Sequence, residues 1–377
     1  MRKFQVSRRA ALTGALATAL AARADTGGAG TPAAGGGGVV AHSTQELWDA
    51  LKAAPGGATI QLAAGVNFGS FFPPARDFRA KHVNVVGQPG AHFTHLEGVM
   101  QGINWKNFNV LGANPSVQIG NSDGVTFTNV TVRTGNANGA QTGQAFQIRN
   151  SSNITITGAG DSDAPDISGA GNACSIIDSS HVVLNQLTIT NNGVDGILVD
   201  GSSDVVIDGV LGYNFYSGQG AHPDFIQGFG DGSVNNKRVT IRNCGWLRGV
   251  GDPCQGYFFA SSDDLTIDGN YLFGGHLTAV ANGVGTKALI NNNFCQGYKG
   301  QGSAIVTRGA YVDCTVTNNF AGAVNNYAGD GVNPGYVPAK LPGTNTLIGD
   351  ARSPTDYADL DKWLAANPNA RRRPTSF

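Results

Sequence analysis

The residues best suited to chemistry lie in one short run, 221–227, with the sequence AHPDFIQ. It places an imidazole at His222, a carboxylate at Asp224 and an amide at Gln227, in a chain otherwise rich in Gly, Asn, Val and Thr. An imidazole exchanges protons readily near neutral pH, and carboxylates and amides hold polar ligands. The run therefore predicts acid–base catalysis by His222 and Asp224, with Gln227 contacting the substrate.

A repeated phrase of alternating apolar residues, ending in Asn, Gly or Gln, indicates the scaffold that positions this run. Alternation predicts a strand, and Asn and Gly tolerate the left-handed backbone of a tight turn. A second strand precedes each phrase, so each repeat predicts one coil of a parallel β-solenoid. The copies, about 27 residues apart on average, are 125–129, 154–158, 182–186, 205–209, 239–243, 265–269, 288–292 and 314–318.

Alignment of the second strands brings further polar residues into register with Asp224. Asp195, Asp224 and Gln255 fall in one column on successive coils, which lie about 4.8 Å apart in a parallel ladder. His222 and His276 lie two residues before the corresponding strand positions, on the same rim. We therefore expect His276 to join the catalytic group, and Asp195 and Gln255 to bind substrate. Gln227 should face solvent if Ile226 is in the core.

The coil that contains His222 is the longest, and its extra length is the loop 213–220. Long loops on a regular solenoid commonly build the binding groove, and aromatic rings suit stacking on sugars. We expect Tyr216 to act as a catalytic acid and Tyr213 to contact substrate, with Phe215 beside them. Arg248 and Arg308 are secondary candidates for binding a substrate carboxylate, since guanidinium groups hold carboxylates bidentately.

The repeated phrase resembles the right-handed parallel β-helix superfamily of pectate lyases, polygalacturonases and alginate epimerases, over roughly residues 39–330. The resemblance implies an all-β fold: a single-stranded right-handed parallel β-helix. The sequence adds a short N-terminal capping helix after Ser43 and a C-terminal helical tail. Residues 222–224, His-Pro-Asp, look like a rearranged form of the Asp-Pro-His signature of alginate epimerases. The order differs, so residue roles are not carried over.

The superfamily contains several chemistries, and the sequence favours a lyase that cleaves an acidic polysaccharide by β-elimination with a His base. C5-epimerisation is an alternative, as is hydrolysis of the polygalacturonase type by Asp195 and Asp224. Against hydrolysis, the family's Asn-Thr-Asp-Gly appears only as Gly-Val-Asp-Gly at 193–196, and its paired Asp-Asp and Gly-His-Gly motifs are absent from the matching coils. A carbohydrate-binding surface protein without catalysis is the non-enzyme alternative.

Metal dependence is not indicated, because the pectate lyase arginine motif and an obvious calcium-carboxylate cluster are missing. We therefore predict no cofactor and no metal site. Calcium held by the oxygens of loop 161–166 is the lesser alternative, and an exposed polar loop is favoured there.

Residues 1–24 resemble a twin-arginine signal peptide, with Arg8-Arg9 and a small-x-small cleavage site ending at Ala24. Residues 25–38 follow as a Gly/Ala-rich linker, then the catalytic β-helix over 39–335 and a C-terminal loop and short helix over 336–377. This organisation predicts a periplasmic or secreted bacterial protein.

Charge and cysteine content limit the partners further. Removal of residues 1–24 takes away five of the 25 Lys and Arg and none of the 26 acids, which leaves a net charge of −6. We therefore expect an acidic polysaccharide as partner, no nucleic acid, no membrane after signal cleavage, and a monomer. The run 371–373 is interpreted as a solvated basic tail.

Most of the five cysteines fall in strand-like runs and are expected to be small buried residues, with one disulfide as the alternative. A polar ladder at one corner is expected from Asn129, Asn243, Asn292 and Asn318.

Overall fold

The described residues form a parallel β-solenoid with three short strands in each regular coil, together with two short helices. The computed structural model describes residues 38–112, 116–134, 143–217, 223–229, 235–274, 280–298, 303–311, 313–327, 345–348 and 356–375. Strands pair in parallel from coil to coil along three sheets, here called A, B and C. The predicted all-β solenoid is therefore confirmed.

Sheet A contains the repeated phrase, and its register is the one expected from the sequence. Val125 pairs with Ile154, Ile154 with Val182, and this column continues through every later phrase to Cys314. The apolar residues of the phrase are buried, because every second side chain of a strand points inward. The strands are Val39–Ala41, Thr59–Leu62, Val83–Gly87, Ile103–Lys106, Asp123–Thr128, Ser152–Thr157, Ser180–Asn185, Ser203–Asp208, Asn236–Arg242, the second part of Gln255–Asp268, Ala288–Asn291 and Cys314–Thr317.

Sheet C contains the predicted second strands. Ile197 pairs with Ile226, Ile226 with Tyr257, and Tyr257 with Val280, so the predicted alignment of these coils is confirmed. The strands are Ser70–Phe71, His95–Gly98, Ser116–Gly120, Gln144–Arg149, Asn172–Ile177, Ile197–Asp200, Asp224–Phe229, the first part of Gln255–Asp268, Val280–Gly285, Ala304–Tyr311 and Ala323–Tyr327.

Sheet B is a third ladder that the sequence analysis missed. Its strands are only two to four residues long and follow the turn that closes each phrase. The last of them, Thr346–Leu347, pairs with Phe320–Ala321 and extends this sheet toward the C-terminus. The strands are His92–Phe93, Asn109–Gly112, Thr131–Thr134, Ile167–Ser168, Thr188–Thr190, Leu211–Tyr213, Gly245–Leu247, Tyr271–Phe273, Phe294–Gln296, Phe320–Ala321 and Thr346–Leu347.

Helix α1, Thr44–Ala53, is the predicted N-terminal helix. Its first turn is capped by Ser43, whose Oγ accepts a hydrogen bond from the Glu46 backbone N–H at 3.2 Å. Leu47 and Leu51 are fully buried and pack in the main core, so this helix contributes apolar cover next to the first strands.

Helix α2, Ala358–Ala366, packs through Leu360, Trp363 and Leu364 in a second buried cluster with residues of sheet B. The chain after it continues along the solenoid, where the Arg371 guanidinium donates hydrogen bonds to Gln186 Oε1 and Thr188 Oγ1. Arg371 is only 5% exposed. The interpretation of 371–373 as a solvated tail is therefore wrong for Arg371, which fastens the C-terminal segment to sheet B.

Asparagine side chains form a ladder inside one corner, but one position away from the predicted residues. Asn270, Asn293, Asn319 and Asn345 are joined coil to coil, each Nδ2 donating to the next Oδ1 at 2.9–3.0 Å. The predicted set at 129, 243, 292 and 318 occupies the adjacent left-handed turn positions, with φ between 51° and 56°. These residues shape the turn, while the next Asn satisfies buried backbone groups.

A second corner contains a serine ladder that the sequence analysis did not identify. The Ser122 N–H donates to Ser151 Oγ, Ser151 N–H to Ser179 Oγ, and Ser179 N–H to Ser202 Oγ, each at 3.1 Å. Buried backbone donors need such partners, because an unpaired polar group costs about 1–3 kcal/mol. The two ladders therefore let the backbone turn corners inside the protein.

All five cysteines are buried in the core cluster, as predicted.

In the part of the chain that the structure describes, no helix has the length and apolar character needed to cross a membrane.

Removal of one ladder amide should destabilise the protein. In Asn293→Ala, the backbone N–H and the side-chain amide of Asn270 lose a shared acceptor and the Asn319 Oδ1 loses a donor. We expect a loss of about 2–4 kcal/mol in the free energy of unfolding, measured by chemical denaturation. The control is Asn129→Gly, at an exposed turn with φ 53°, where Gly adopts the same backbone freely. Equal stability of the two variants would contradict the role of the ladder.

Candidate functional site

The candidate site lies where the turns between sheet B and sheet C enter three successive strands. Asp195 precedes the strand Ile197–Asp200, Asp224 begins the strand Asp224–Phe229, and Gln255 begins the strand Gln255–Asp268. Asp224 is the register partner of Gln255, and Ile197 is that of Ile226, two residues after Asp224. The predicted column of Asp195, Asp224 and Gln255 is therefore present.

Two aspartates on adjacent coils are joined within this column. Asp224 donates its backbone N–H to Asp195 Oδ1 at 3.0 Å and accepts from the Gly196 N–H at 2.9 Å through its carbonyl. Asp195 is 8% exposed and Asp224 is fully buried. Within the described part of the chain, neither carboxyl oxygen of Asp224 has a hydrogen-bond partner. Because a buried carboxylate without donors is very unfavourable, this environment selects the neutral acid.

Burial raises the pKa of Asp224 to about 8, and the neighbouring charge of Asp195 adds to the effect. Asp224 is therefore a carboxylic acid at neutral pH, able to donate a hydrogen bond or a proton that an ordinary Asp has already lost. Enzymes often place two carboxyl groups side by side in different environments. Their pKa values then differ, so that one group stays protonated as an acid while the other is ionised. This is the strongest chemical feature of the described residues.

Cys254, which the sequence analysis did not single out, and Arg248, a predicted carboxylate-binding residue, lie near this group. Cys254 is 3% exposed, and burial raises its thiol pKa well above the usual value, with the charges of Asp224 and Asp195 adding to the rise. Arg248 donates from Nε to the Gly251 carbonyl at 2.9 Å, and its guanidinium lies 5.5 Å from the Tyr298 ring centre. Cys254 directly precedes Gln255 of the predicted column, and this position is the sequence signal from which its place in the site could have been predicted.

The aromatic loop is placed differently from the prediction. Tyr213 is 7% exposed and belongs to the buried cluster under helix α2, while Phe215 is fully buried and packs edge-on against Phe225 and Trp246. The ring of Tyr213 therefore lies in the same buried cluster as the apolar side chains of helix α2, and its predicted contact with substrate stays a prediction. Tyr216 is half-buried, and its N–H donates to the Asn192 carbonyl at 2.8 Å.

The remaining predicted residues divide into covered and undescribed ones. Gln227 pairs with Leu198 and Phe258 in sheet C but is only 8% exposed, so its expected exposure to solvent is wrong. His222 and His276 lie outside the described residues, and the catalytic roles predicted for them stay predictions. Arg308 lies in the strand Ala304–Tyr311 opposite Tyr327, and its side chain lies outside the described part.

The described residues contain no group of three or more His, Cys, Asp or Glu that could hold a metal ion. In loop 161–166, the Asp163 carboxylate instead accepts hydrogen bonds from the N–H and hydroxyl of Thr375. This loop therefore binds the C-terminal segment of the chain.

No protein-family profile and no curated protein sequence matches the chain. Among solved structures, the Dettilon tailspike protein aligns at 12% identity with a TM-score of 0.50, over 82% of this chain and 63% of that one. The surface adhesin PfbA of Streptococcus pneumoniae aligns at 13% identity with a TM-score of 0.48, over 75% and 85%. An alginate lyase from Paenibacillus aligns at 14% identity with a TM-score of 0.45, over 83% and 99%. This chain thus spans less than two thirds of the tailspike protein. The similarity confirms the parallel β-helix fold.

Replacing Asp224 by its neutral isostere should stabilise the protein. Because the folded state keeps its proton up to a pKa of about 8, against 3.8 ordinarily, wild type loses stability as pH rises from 3.8 to 8. Asp224→Asn removes that loss, so its advantage should be small near pH 4 and reach a few kcal/mol near pH 8. Thermal unfolding at both pH values measures it.

Asp178→Asn is the matched control, because Asp178 is exposed and its φ of 49° suits Asn equally well. It should leave the pH dependence of stability unchanged. An Asp224→Asn protein less stable than wild type at pH 8 would refute the buried-acid interpretation.

Proposed function

We propose that the protein is an enzyme that acts on an acidic polysaccharide, with the neutral Asp224 carboxyl as the group that meets the charged part of the substrate. The observation that carries the proposal is this buried acid, with a pKa of about 8, one coil away from the Asp195 carboxyl. Structural carboxylates rarely sit buried without donors, whereas acids that work at neutral pH need such environments.

β-Elimination is the reaction that we assign first. Abstraction of the proton at C5 of a uronate requires its carboxylate to be neutralised, and a protonated Asp224 would donate a hydrogen bond to that carboxylate. His222 or His276 would accept the C5 proton, and Tyr216 would protonate the leaving oxygen. A C5-epimerase would use the same first step and return the proton from the opposite face.

The column geometry supports a polymer as the substrate. Asp195, Asp224 and Gln255 repeat on successive coils about 4.8 Å apart, which is comparable to the length of one hexose unit. A linear chain lying along the solenoid axis would thus present one sugar to each coil. Arg248, at the neighbouring turn, would bind a further carboxylate.

Hydrolysis is the second candidate, favoured by the pairing of Asp195 with Asp224. Glycosidases use two carboxyls about 5–5.5 Å apart for retention and about 6.5–9.5 Å apart for inversion. Asp224 would then protonate the glycosidic oxygen, and Asp195 would act as the nucleophile or the base. Both reactions require the same acid and differ in their products.

The Asp224 oxygens are covered in the free protein, so the proposed role requires them to become accessible when substrate binds. The substrate carboxylate or glycosidic oxygen would then provide the partner that the buried acid lacks among the described residues.

Activity should depend on the neutral form of Asp224. On a panel of polyuronates, cleavage by wild type should fall above about pH 8 as this carboxyl ionises. Asp224→Ala should lower the rate at least about a hundredfold, because either reaction loses the donor that this carboxyl supplies, while Asp178→Asn keeps it. Ultraviolet absorbance detects the unsaturated product of elimination, and a reducing-end assay detects both reactions.

The products separate the two reactions, since elimination gives absorbance together with reducing ends and hydrolysis gives reducing ends alone. A folded Asp224→Ala protein that cleaves as fast as wild type would exclude Asp224 from catalysis. Retained polymer binding without either product would leave the C5-epimerase and the carbohydrate-binding alternative, which proton exchange at C5 separates.

A further inference from the structure

A second cluster of chemically competent side chains lies on the first coils of sheet C, far from Asp224 in the sequence. His95 and Glu97 are two residues apart on the strand His95–Gly98, so their side chains project from the same face. Ser116 is the register partner of His95 on the next coil, and Gln118 is that of Glu97. Between them, Leu96 and Val117 are fully buried, so the four polar residues share the outer face.

These side chains form a continuous hydrogen-bonded relay. Ser116 Oγ lies 2.7 Å from His95 Nδ1, and His95 Nε2 lies 2.9 Å from Glu97 Oε2. A neutral ring with its proton on Nε2 satisfies both contacts, since Nε2–H donates to Glu97 and Nδ1 accepts from the Ser116 hydroxyl. This is the order of a nucleophile, a base and an orienting carboxylate, with the two ring nitrogens exchanged relative to serine proteases.

Two further side chains lie beside the relay. Gln118 Nε2 donates a hydrogen bond to Ser116 Oγ at 3.2 Å and helps to orient that hydroxyl. Phe72 is 55% exposed, with its ring centre 6.2 Å from that of His95. Its free face offers an apolar platform for the C–H face of a sugar ring. The side chains of His95 and Glu97 are 21% and 33% exposed, whereas Ser116 is 5% exposed, so a substrate would reach the hydroxyl past the imidazole ring.

We propose that Ser116, His95 and Glu97 form a second active site that hydrolyses acyl esters, with acetyl groups on carbohydrate hydroxyls as the substrate class. The ester chemistry rests on the relay alone, whereas the choice of a carbohydrate ester rests on the proposed function as well. The strand of Ser116 lies four sheet C pairings before that of Asp224, about 19 Å along the axis. One extended polymer would span both sites.

The reaction proceeds by acyl transfer. Ser116 Oγ bonds to the acetyl carbonyl carbon while its proton passes to His95 Nδ1, and Glu97 stabilises the imidazolium. The tetrahedral intermediate then breaks its bond to the sugar oxygen, which takes the proton and leaves as a free hydroxyl. Water repeats the two steps on the acyl-serine, releasing acetate and restoring Ser116.

A fluorophosphonate probe and p-nitrophenyl acetate test the relay without any polysaccharide, so the result is independent of polymer cleavage. We expect the probe to modify Ser116, as located by peptide mass spectrometry, and ester hydrolysis to fall to background in Ser116→Ala. Glu97→Gln should lower the rate at least about tenfold, because the imidazolium loses its partner. Ser70→Ala is the control, since Ser70 flanks His95 on the preceding coil and lies outside the relay.

Two results would overturn the proposal. A folded wild type that the probe does not modify at Ser116 would show that the relay is structural. Hydrolysis in Ser116→Ala at the wild-type rate would place the activity elsewhere. Acetate release from an acetylated polyuronate then tests the substrate class, and activity on p-nitrophenyl acetate without such release would refute the carbohydrate assignment.

Discussion

Parallel pairing of each coil with the next is the constraint on which the rest of the structure depends. It fixes the register of sheets A and C, so a residue type that recurs in the sequence recurs at one height in every coil. The corners between sheets are difficult to stabilise. At a corner the backbone leaves the sheet hydrogen bonds while it is still buried, so its polar groups need other partners. The asparagine and serine ladders provide them by placing a side-chain acceptor beneath each buried donor. Regular pairing therefore depends on polar columns as much as on apolar ones.

The same register creates the unusual carboxyl pair. Once Ile197 and Ile226 are stacked, Asp195 and Asp224 must fall side by side at the entry to their strands. Because paired coils cannot shift sideways, the two carboxyl groups cannot move apart. Repulsion between two negative charges is avoided because Asp224 keeps its proton. The destabilising effect of Asp224 is distributed over a scaffold with an extensive apolar core. A residue that weakens the fold at neutral pH is thus tolerated in a scaffold with a large apolar core.

The parts of the fold that repeat could be predicted, and the parts that depend on unique contacts could not. Alternation and spacing were sufficient to align Asp195, Asp224 and Gln255. Sheet B was not predicted, because strands of two to four residues are too short to show the alternation of apolar and polar residues. Arg371 was misassigned because its burial depends on the packing of the segment that follows helix α2. Ser116 and His95 are 21 residues apart, outside the repeated phrases, so only the register of the folded coils brings them together.

The two proposed sites both lie on sheet C, at a distance set by the paired coils between them. Side chains on its early coils reach a ligand directly from the outer face, as Ser116 and His95 would, whereas the Asp224 group lies at the turn where later strands begin. Because the coils between them are rigidly paired, the distance cannot adjust to the ligand. A polymer that occupies both sites must therefore carry an acyl group at a distance from its scissile bond that equals the distance between the two sites. This geometric requirement would select among substrates even if each site alone accepted many, since only that spacing allows both sites to be filled by one chain.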